Sequence, residues 1–230
     1  MKIGLLIIAT NKYTRFLQPI IDSADIFFLT GFDVTYFIFT NQKIDIKSNR
    51  NIKSINVEHK EWPWMTLGRY KIFADNYEEL SKMDYLFYTD ADMKFVNHVG
   101  EEILSDRVGT LHPGFFHNPN TSNIALEKRP ESLAYLPPNT IKNYYAGGFN
   151  GGTSKEFLKM SQTISKNIEI DLEKHNIIAE WHDESHMNRY FYENNPTLEL
   201  SPSYCYPESW NLPFDKKLLA LDKNHNEIRN

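Results

Sequence analysis

The sequence predicts an α/β protein built on a mixed central sheet, and three observations carry that reading. Residues 3–8 are a continuous apolar run, the pattern of a parallel strand covered on both faces. Residues 85–89 repeat the pattern and stop abruptly at Asp90-Ala91-Asp92. Between them the apolar periodicity switches to helical, then to two strands, then back to helical, giving the order β-α-β-β-α-β. No G-x-G-x-x-G follows the first strand, which argues against a dinucleotide-binding fold. The 230 residues, 41% hydrophobic and 14% aromatic, suffice for one substantial core, and no linker composition interrupts them. The chain therefore reads as a single domain over residues 1–230.

Each element has its own justification. After the first strand, Ala9-Thr10-Asn11 forms a turn. Pro19 is tolerated in the first turn of a helix that continues through Ile20, Ile21, Ala24 and Phe27, and Gly31 suits its end. Residues 34–39 and 52–57 are the second and third strands. Pro63 bars a helix, so the next one is expected to start at Thr66 as N-cap and run to about Leu80. Arg69 falls in its first turn, where the helix dipole mildly disfavours a cation; a solvated side chain is the ordinary reading, and an anionic partner would help explain the position.

Residues 109–115 read as a strand that stops at a Pro-Gly turn with His112 near its end. In residues 144–152, four of the ten glycines fall within six positions. Glycine so concentrated means strained turns or close approach to the backbone. The flanking Tyr144, Tyr145 and Phe149 favour a pocket wall. A helix is expected over residues 154–174. Asp183 and Glu184 then open another, adjacent acids pointing different ways. His182 and His186 lie four apart, but Asp183 stands where the zinc-protease motif needs glutamate. Residues 198–201 form a last short strand. Beyond it, Tyr204, Tyr206 and Trp210 are suited to core packing or sugar stacking.

A net charge of -5 and a pI near 5.9 argue against nucleic-acid binding through bulk charge. The single cysteine, Cys205, excludes an internal disulfide and a cysteine zinc cage. The apolar N-terminal run lacks a small-residue cleavage site and is too short to span a bilayer, so a soluble, cytoplasmic protein is expected. Asn120-Thr121-Ser122 matches a glycosylation acceptor, which has meaning only in a secreted chain.

In a strand, side chains two apart face the same way, so Asp90 and Asp92 emerge together at the strand end, where open α/β sheets bind ligands. Two close carboxylates repel unless a cation sits between them, and hard oxygen donors suit Mg²⁺ or Mn²⁺. On the motif alone a strand-ending turn is an equal reading, because aspartate favours turns.

The separated motifs, in order, resemble glycosyltransferase family six, which includes the histo-blood-group A and B transferases and the α-1,3-galactosyltransferases. They are Ala9 with Tyr13; Tyr88-Thr89-Asp90-Ala91-Asp92-Met93; Gly109-Thr110-Leu111-His112-Pro113-Gly114-Phe115; Tyr144-Tyr145-Ala146-Gly147-Gly148; Trp181-His182-Asp183-Glu184-Ser185-His186; and Lys223-Asn224-His225 to Arg229-Asn230. The start at the first strand makes the chain similar to the shorter microbial-type members, many of which carry Asn-x-Asn where this chain keeps both acids.

The resemblance implies a GT-A-type nucleotide-sugar-binding fold. It also implies α-1,3 transfer of N-acetylgalactosamine or galactose from UDP, with retention, onto a galactoside, 2-fucosylated in the inherited case. Asp90 and Asp92, with Ala91 between them, match the family's Asp-x-Asp, which holds Mn²⁺ (Mg²⁺ being the substitute) on the donor diphosphate. Ile8, Ala9 and Tyr13 match uridine contacts, and Arg69 matches an arginine touching the donor. Ala146, Gly147 and Gly148 match the tripeptide around the sugar's C2 substituent, where small residues leave room for an N-acetyl group. His112, Trp181, Asp183 and Glu184 match sugar contacts, with Glu184 as the catalytic candidate. Lys223 and Arg229 match basic tail residues that fold over the diphosphate.

Two rival readings share these residues. A metal-dependent phosphohydrolase or nucleotidyltransferase would need further metal carboxylates, which only Asp183-Glu184 could supply. A catalytically silent carbohydrate-binding domain would rest on the aromatics alone.

Overall fold

The computed structural model describes residues 1–116, 124, 126–137, 140–224 and 227–228. Strand β1 (Lys2–Ile8) lies between β2 (Asp33–Thr40) and β4 (Tyr85–Asp90), parallel to both, and β3 (Asn51–Asn56) extends the sheet beyond β2. On the other side β7 (Tyr145–Thr153) runs antiparallel to β4 and to β6 (Arg107–Leu111), and β8 (Leu198–Leu200) closes the edge. The seven-stranded order β3-β2-β1-β4-β7-β6-β8 is thus the mixed central sheet expected from the sequence.

The apolar continuity of β1 has its reason in two cores. Ile3, Leu5 and Ile7 pack into one, together with Leu17, Ile20 and Ile21 of helix α1 (Leu17–Phe27). Leu6 packs into the other, against Phe73 and the residues Phe157 and Ile164 of a long helix at Ser154–Ile170. Side chains alternate across a strand, so a strand covered on both faces has no place for a polar residue.

The helix expected over residues 66–80 is three short ones, α2 (Trp64–Leu67), α3 (Arg69–Asp75) and α4 (Tyr77–Leu80). The breaks fall at Gly68 and Asn76. Glycine is a poor helix residue, and the Asn76 amide donates to the Ile72 carbonyl at 2.8 Å, offering the backbone an alternative to helix. The start lies at Trp64, so Thr66 is inside α2 and caps nothing. The Ser154–Ile170 helix, α5, ends in a π-helical turn at Asp171–His175, close to the expected limit. Helix α6 spans His182–Glu193. A second, three-stranded sheet was not foreseen: β5 (Met93–Phe95) pairs with β10 (Leu218–Ala220), and β10 with β9 (Tyr206–Pro207). It brings the C-terminal segment beside the end of β4.

The glycine-rich stretch is strand β7, and close approach is what its glycines permit. A Cβ on Gly151 would meet Phe87 Cδ1 at 2.3 Å and the Leu86 carbonyl at 2.6 Å. Neither can yield within a packed sheet. Gly151→Ala is expected to destabilise the fold by about 1–3 kcal/mol, read as a fall of several degrees in Tm. An unchanged melting temperature would mean that β4 and β7 separate more readily than this packing allows.

Candidate active site

The parallel strands β1 and β4 end side by side, Ile8 pairing with Asp90. The antiparallel β7 begins there, so its Gly147 and Gly148 come level with the ends of the other two. Above this junction opens a cavity of about 740 Å³, within the range of small-molecule sites. Of the residues singled out from sequence, Ile8, Tyr13, Arg69, Asp90, Ala91, Asp92, Gly147, Gly148, Trp181, Asp183, Glu184 and Lys223 line it. Ala9 is buried in the core one step past Ile8, and Ala146 faces the core as well. His112 sits at the end of β6, its ring stacked on Phe115 at 4.6 Å and edge-on to Tyr144, outside the cavity wall. Arg229 and Asn120-Thr121-Ser122 lie outside the described residues.

Arg69 is the most connected of these side chains. Although it opens α3, it is buried, and its guanidinium reaches three elements. Nη2 lies 3.3 Å from Asp90 Oδ1 and Nε 3.2 Å from Asp183 Oδ2, while Nη1 donates to the Gly147 carbonyl at 2.9 Å. The group stands 4.4 Å over the Tyr88 ring. Two carboxylates are therefore its anionic partners, and a backbone carbonyl takes a further donor. Tyr88 had no signal of its own in the sequence, yet its hydroxyl also donates to Asp90 Oδ1 at 2.5 Å.

Glu184 faces another way from its neighbour. Pairing between β6 and β7 jumps from Asn150 to Ala146, so Gly147–Phe149 lack a partner on that side. The freed Gly147 N–H donates to Glu184 Oε2 at 2.7 Å. One turn along α6, Asn188 takes the place of a strand: its Oδ1 accepts from Tyr145 N at 2.8 Å and its Nδ2 donates to Tyr145 O at 2.9 Å. The start of α6 is thereby fastened to β7.

The two acids differ electrostatically. Burial pushes Asp183 up to about 6, with Arg69 opposing it and the Asp90 charge adding to it. Burial pushes Glu184 up to about 7, the Gly147 N–H lowering it and Asp183 raising it again. Both remain capable of ionising near neutrality. His112, in contrast, is lowered to about 4 by burial and stays neutral.

Asp90 ends β4 and Asp92 lies in the turn that follows, so strand alternation does not set their directions. Both nevertheless line the cavity, and they are compensated differently. Asp90 leans on Arg69, and Asp92 is ion-paired with the Lys223 ammonium. Burial and the Asp90 charge raise Asp92, and Lys223 lowers it. These residues fit a divalent cation. The donors are hard oxygens, and a cationic ammonium already stands against one of them. Among the described residues no group of three or more His, Cys, Asp or Glu forms a metal cage, so further ligands must come from substrate or water. Asp183, spent on Arg69, is unsuited to the two-metal chemistry of a phosphohydrolase. Zinc at His182 and His186 is equally unsupported: His182 meets the edge of Trp62, whereas His186 is buried against Asp171.

The cavity also enlists residues that sequence reasoning passed over, among them Thr10, Lys12, Gln42, His59, Trp62 and Ile228. Lys12 had a usable signal, a cation placed just past the first strand's turn. Trp62 and His59 come from the loop after β3, whose approach to β1 no local pattern announces. No helix among the described residues is long and apolar enough to cross a membrane.

The family model for Glycosyltransferase family 6 matches residues 1–230. The chain is 36% identical to "Histo-blood group ABO system transferase 1" of Rattus norvegicus, over 99% of this chain and 68% of the relative. It is 32% identical to "Globoside alpha-1,3-N-acetylgalactosaminyltransferase 1" of Gallus gallus, over 100% of this chain and 70% of the relative. It is 33% identical to "O-antigen biosynthesis glycosyltransferase WbnI" of Escherichia coli, over 97% of this chain and 95% of the relative. The mixed seven-stranded sheet agrees with the GT-A-type fold expected for such a protein. With that sheet, a cavity at its strand ends and a family match along the whole length, the chain belongs to glycosyltransferase family 6, enzymes that transfer a sugar from a nucleotide-sugar donor to a glycan acceptor.

Proposed function

We propose that this enzyme moves N-acetylgalactosamine, in preference to galactose, from UDP to a galactoside-containing glycan in α-1,3 linkage, with retention and with Mn²⁺ on the donor diphosphate. One observation carries the reading: the Glu184 carboxylate is fixed by the Gly147 N–H in the wall of the cavity that also holds Asp90, Asp92 and Lys223. A carboxylate and a diphosphate-neutralising group facing one space are what glycosyl transfer requires.

As the bond from the anomeric carbon to UDP breaks, the electron pair leaves with the diphosphate and positive charge develops on the sugar. Glu184, held in place before reaction, faces that charge and stabilises it. Lys223 and Arg69 contribute positive potential where the departing diphosphate gains charge. When bound, Mn²⁺ would be held by Asp90 and Asp92 and would neutralise the diphosphate as a Lewis acid. Asp183 keeps Arg69 oriented and takes no part in bond making. The acceptor hydroxyl approaches past Trp181, whose exposed ring offers a stacking face for a sugar. The hydroxyl oxygen bonds to the anomeric carbon, and its proton passes to the departing diphosphate.

The donor preference rests on Gly147 and Gly148. Both line the cavity, and a wall without side chains at these two positions is where a C2 substituent would lie. A missing group in such a space costs galactose only about 1–3 kcal/mol, so both sugars are used and the larger one is favoured. Ala146, turned to the core, has no direct part in this.

With UDP-GalNAc, UDP-Gal and UDP-Glc offered against β-galactosides, UDP-GalNAc is expected to give the fastest UDP release, UDP-Gal a slower one, and EDTA to suppress both. A preference for galactose would overturn the donor assignment, and full activity in EDTA the cation's role.

The working form of Glu184 is the carboxylate, and its raised value of about 7 sets the sign of the pH response. kcat/KM should fall as pH drops through about 7, because protonation removes the charge, and should level off above it. Glu184→Gln should lose on the order of 10²-fold or more in transfer rate and that acidic limb with it. Near-normal turnover in this variant would remove Glu184 from the mechanism.

A further inference from the structure

Lys223 is held against one of the two carboxylates that would bind a metal. Its ammonium pairs with Asp92 Oδ2, and both side chains are nearly closed off from solvent, at 16% and 11% exposure. The ammonium also stands 5.2 Å over the Tyr13 ring. The segment carrying it is fastened on both sides: Leu221 N donates to the Asp92 carbonyl at 3.0 Å, and Glu227 is gripped by Lys12 and Arg15. Burial works against the Lys223 charge, but Asp92 more than restores it and keeps the ammonium above its ordinary range.

A dication and this ammonium compete for the same carboxylate. A cation arriving alone must displace Lys223 and leave a buried ammonium next to a like charge, which is costly. A diphosphate changes the balance, because its oxygens give the displaced ammonium a new partner a short distance away. We propose that Lys223 is a built-in counter-ion for Asp92 that makes metal and nucleotide binding mutually dependent: it suppresses cation binding in the absence of diphosphate and is transferred to the diphosphate when both bind. The inference rests on the reading of Asp90 and Asp92 as the cation's ligands. It assigns to Lys223 a coupling role beyond contact with the leaving group. Coupling of this kind is reciprocal, so UDP must tighten Mn²⁺ binding by the same factor by which Mn²⁺ tightens UDP binding.

The experiment is Mn²⁺ binding to the full chain, followed by the electron paramagnetic resonance of free Mn²⁺ with and without saturating UDP. It is made on the wild type, Lys223→Met and Lys223→Arg, with folding of each checked by its melting curve. The wild type should bind Mn²⁺ at least about tenfold more tightly with UDP than without. Lys223→Met should bind Mn²⁺ about tenfold more tightly than the wild type when UDP is absent, and the effect of UDP should shrink. Lys223→Arg, which keeps the cation, should retain the wild-type pattern. Unchanged or weaker Mn²⁺ binding by Lys223→Met without UDP, while the wild type binds Mn²⁺ with UDP, would overturn the competition and leave the metal site standing. Absence of Mn²⁺ binding to the wild type even with UDP would overturn the metal site, and the proposal with it.

Discussion

The buried guanidinium of Arg69 is the interaction on which the rest of the site depends. Taking an arginine out of water is unfavourable unless its charge is matched and its donors are engaged. Here the match comes from three elements at once: Asp90 at the end of β4, Asp183 at the start of α6, and the Gly147 carbonyl in β7, with the Tyr88 ring beneath. The planar, forked head of arginine suits such a junction in a way that lysine does not. The glycines of β7 are part of the same arrangement, since a Cβ on Gly147 would press to 3.2 Å from Arg69 Nη1 and 3.3 Å from Glu184 Oε2. Cation, carboxylates and bare backbone fit together or not at all.

This junction divides the labour of two adjacent acids. Asp183 faces Arg69, and its charge serves the architecture. Glu184 has turned to the free Gly147 N–H and is left with a carboxylate toward the cavity. Environment, more than residue type, separates the two, as it does in other sites where paired carboxyl groups have different tasks. Across the Arg69 bridge stands Asp90, and beyond it Asp92 with Lys223 as its counter-ion. The site therefore concentrates negative charge while keeping each acid individually compensated. An acidic protein can hold an anionic donor on those terms.

Much of the fold was legible because it is local. The apolar runs of β1 and β4, the helix through Ile20 and Ala24, and the adjacent acids opening α6 declare themselves by period and punctuation. For the glycines at 147, 148, 151 and 152 the sequence left strained turns and close approach both open and favoured a pocket wall. Gly147 and Gly148 form that wall, while Gly151 allows close approach; their status as a paired strand did not show. What stayed hidden was nonlocal or a balance of small preferences. The sheet of β5, β9 and β10 joins two- and three-residue pieces, β5 more than a hundred positions from the other two, too short to leave a pattern. The breaks at Gly68 and Asn76 reflect single residues within an otherwise helical period. The place of Arg69 in a helix's first turn allowed a solvated side chain as readily as an anionic partner, and that Asp90 and Asp183 both bind it could be read only from the way β4 and α6 converge. Trp62 and His59 reach the cavity through a loop whose course depends on tertiary packing.

The central claim is that Arg69 and Asp183 act as one unit that orients Asp90, Gly147 and, through them, Glu184. A double-mutant cycle on kcat/KM for sugar transfer, comparing Arg69→Met, Asp183→Asn and the double variant, tests it most directly. Each single change should cost on the order of 10²-fold, and the double variant should be no worse than the poorer single one, because the unit is already broken. Costs that multiply would mean that the two residues contribute independently, contradicting the account.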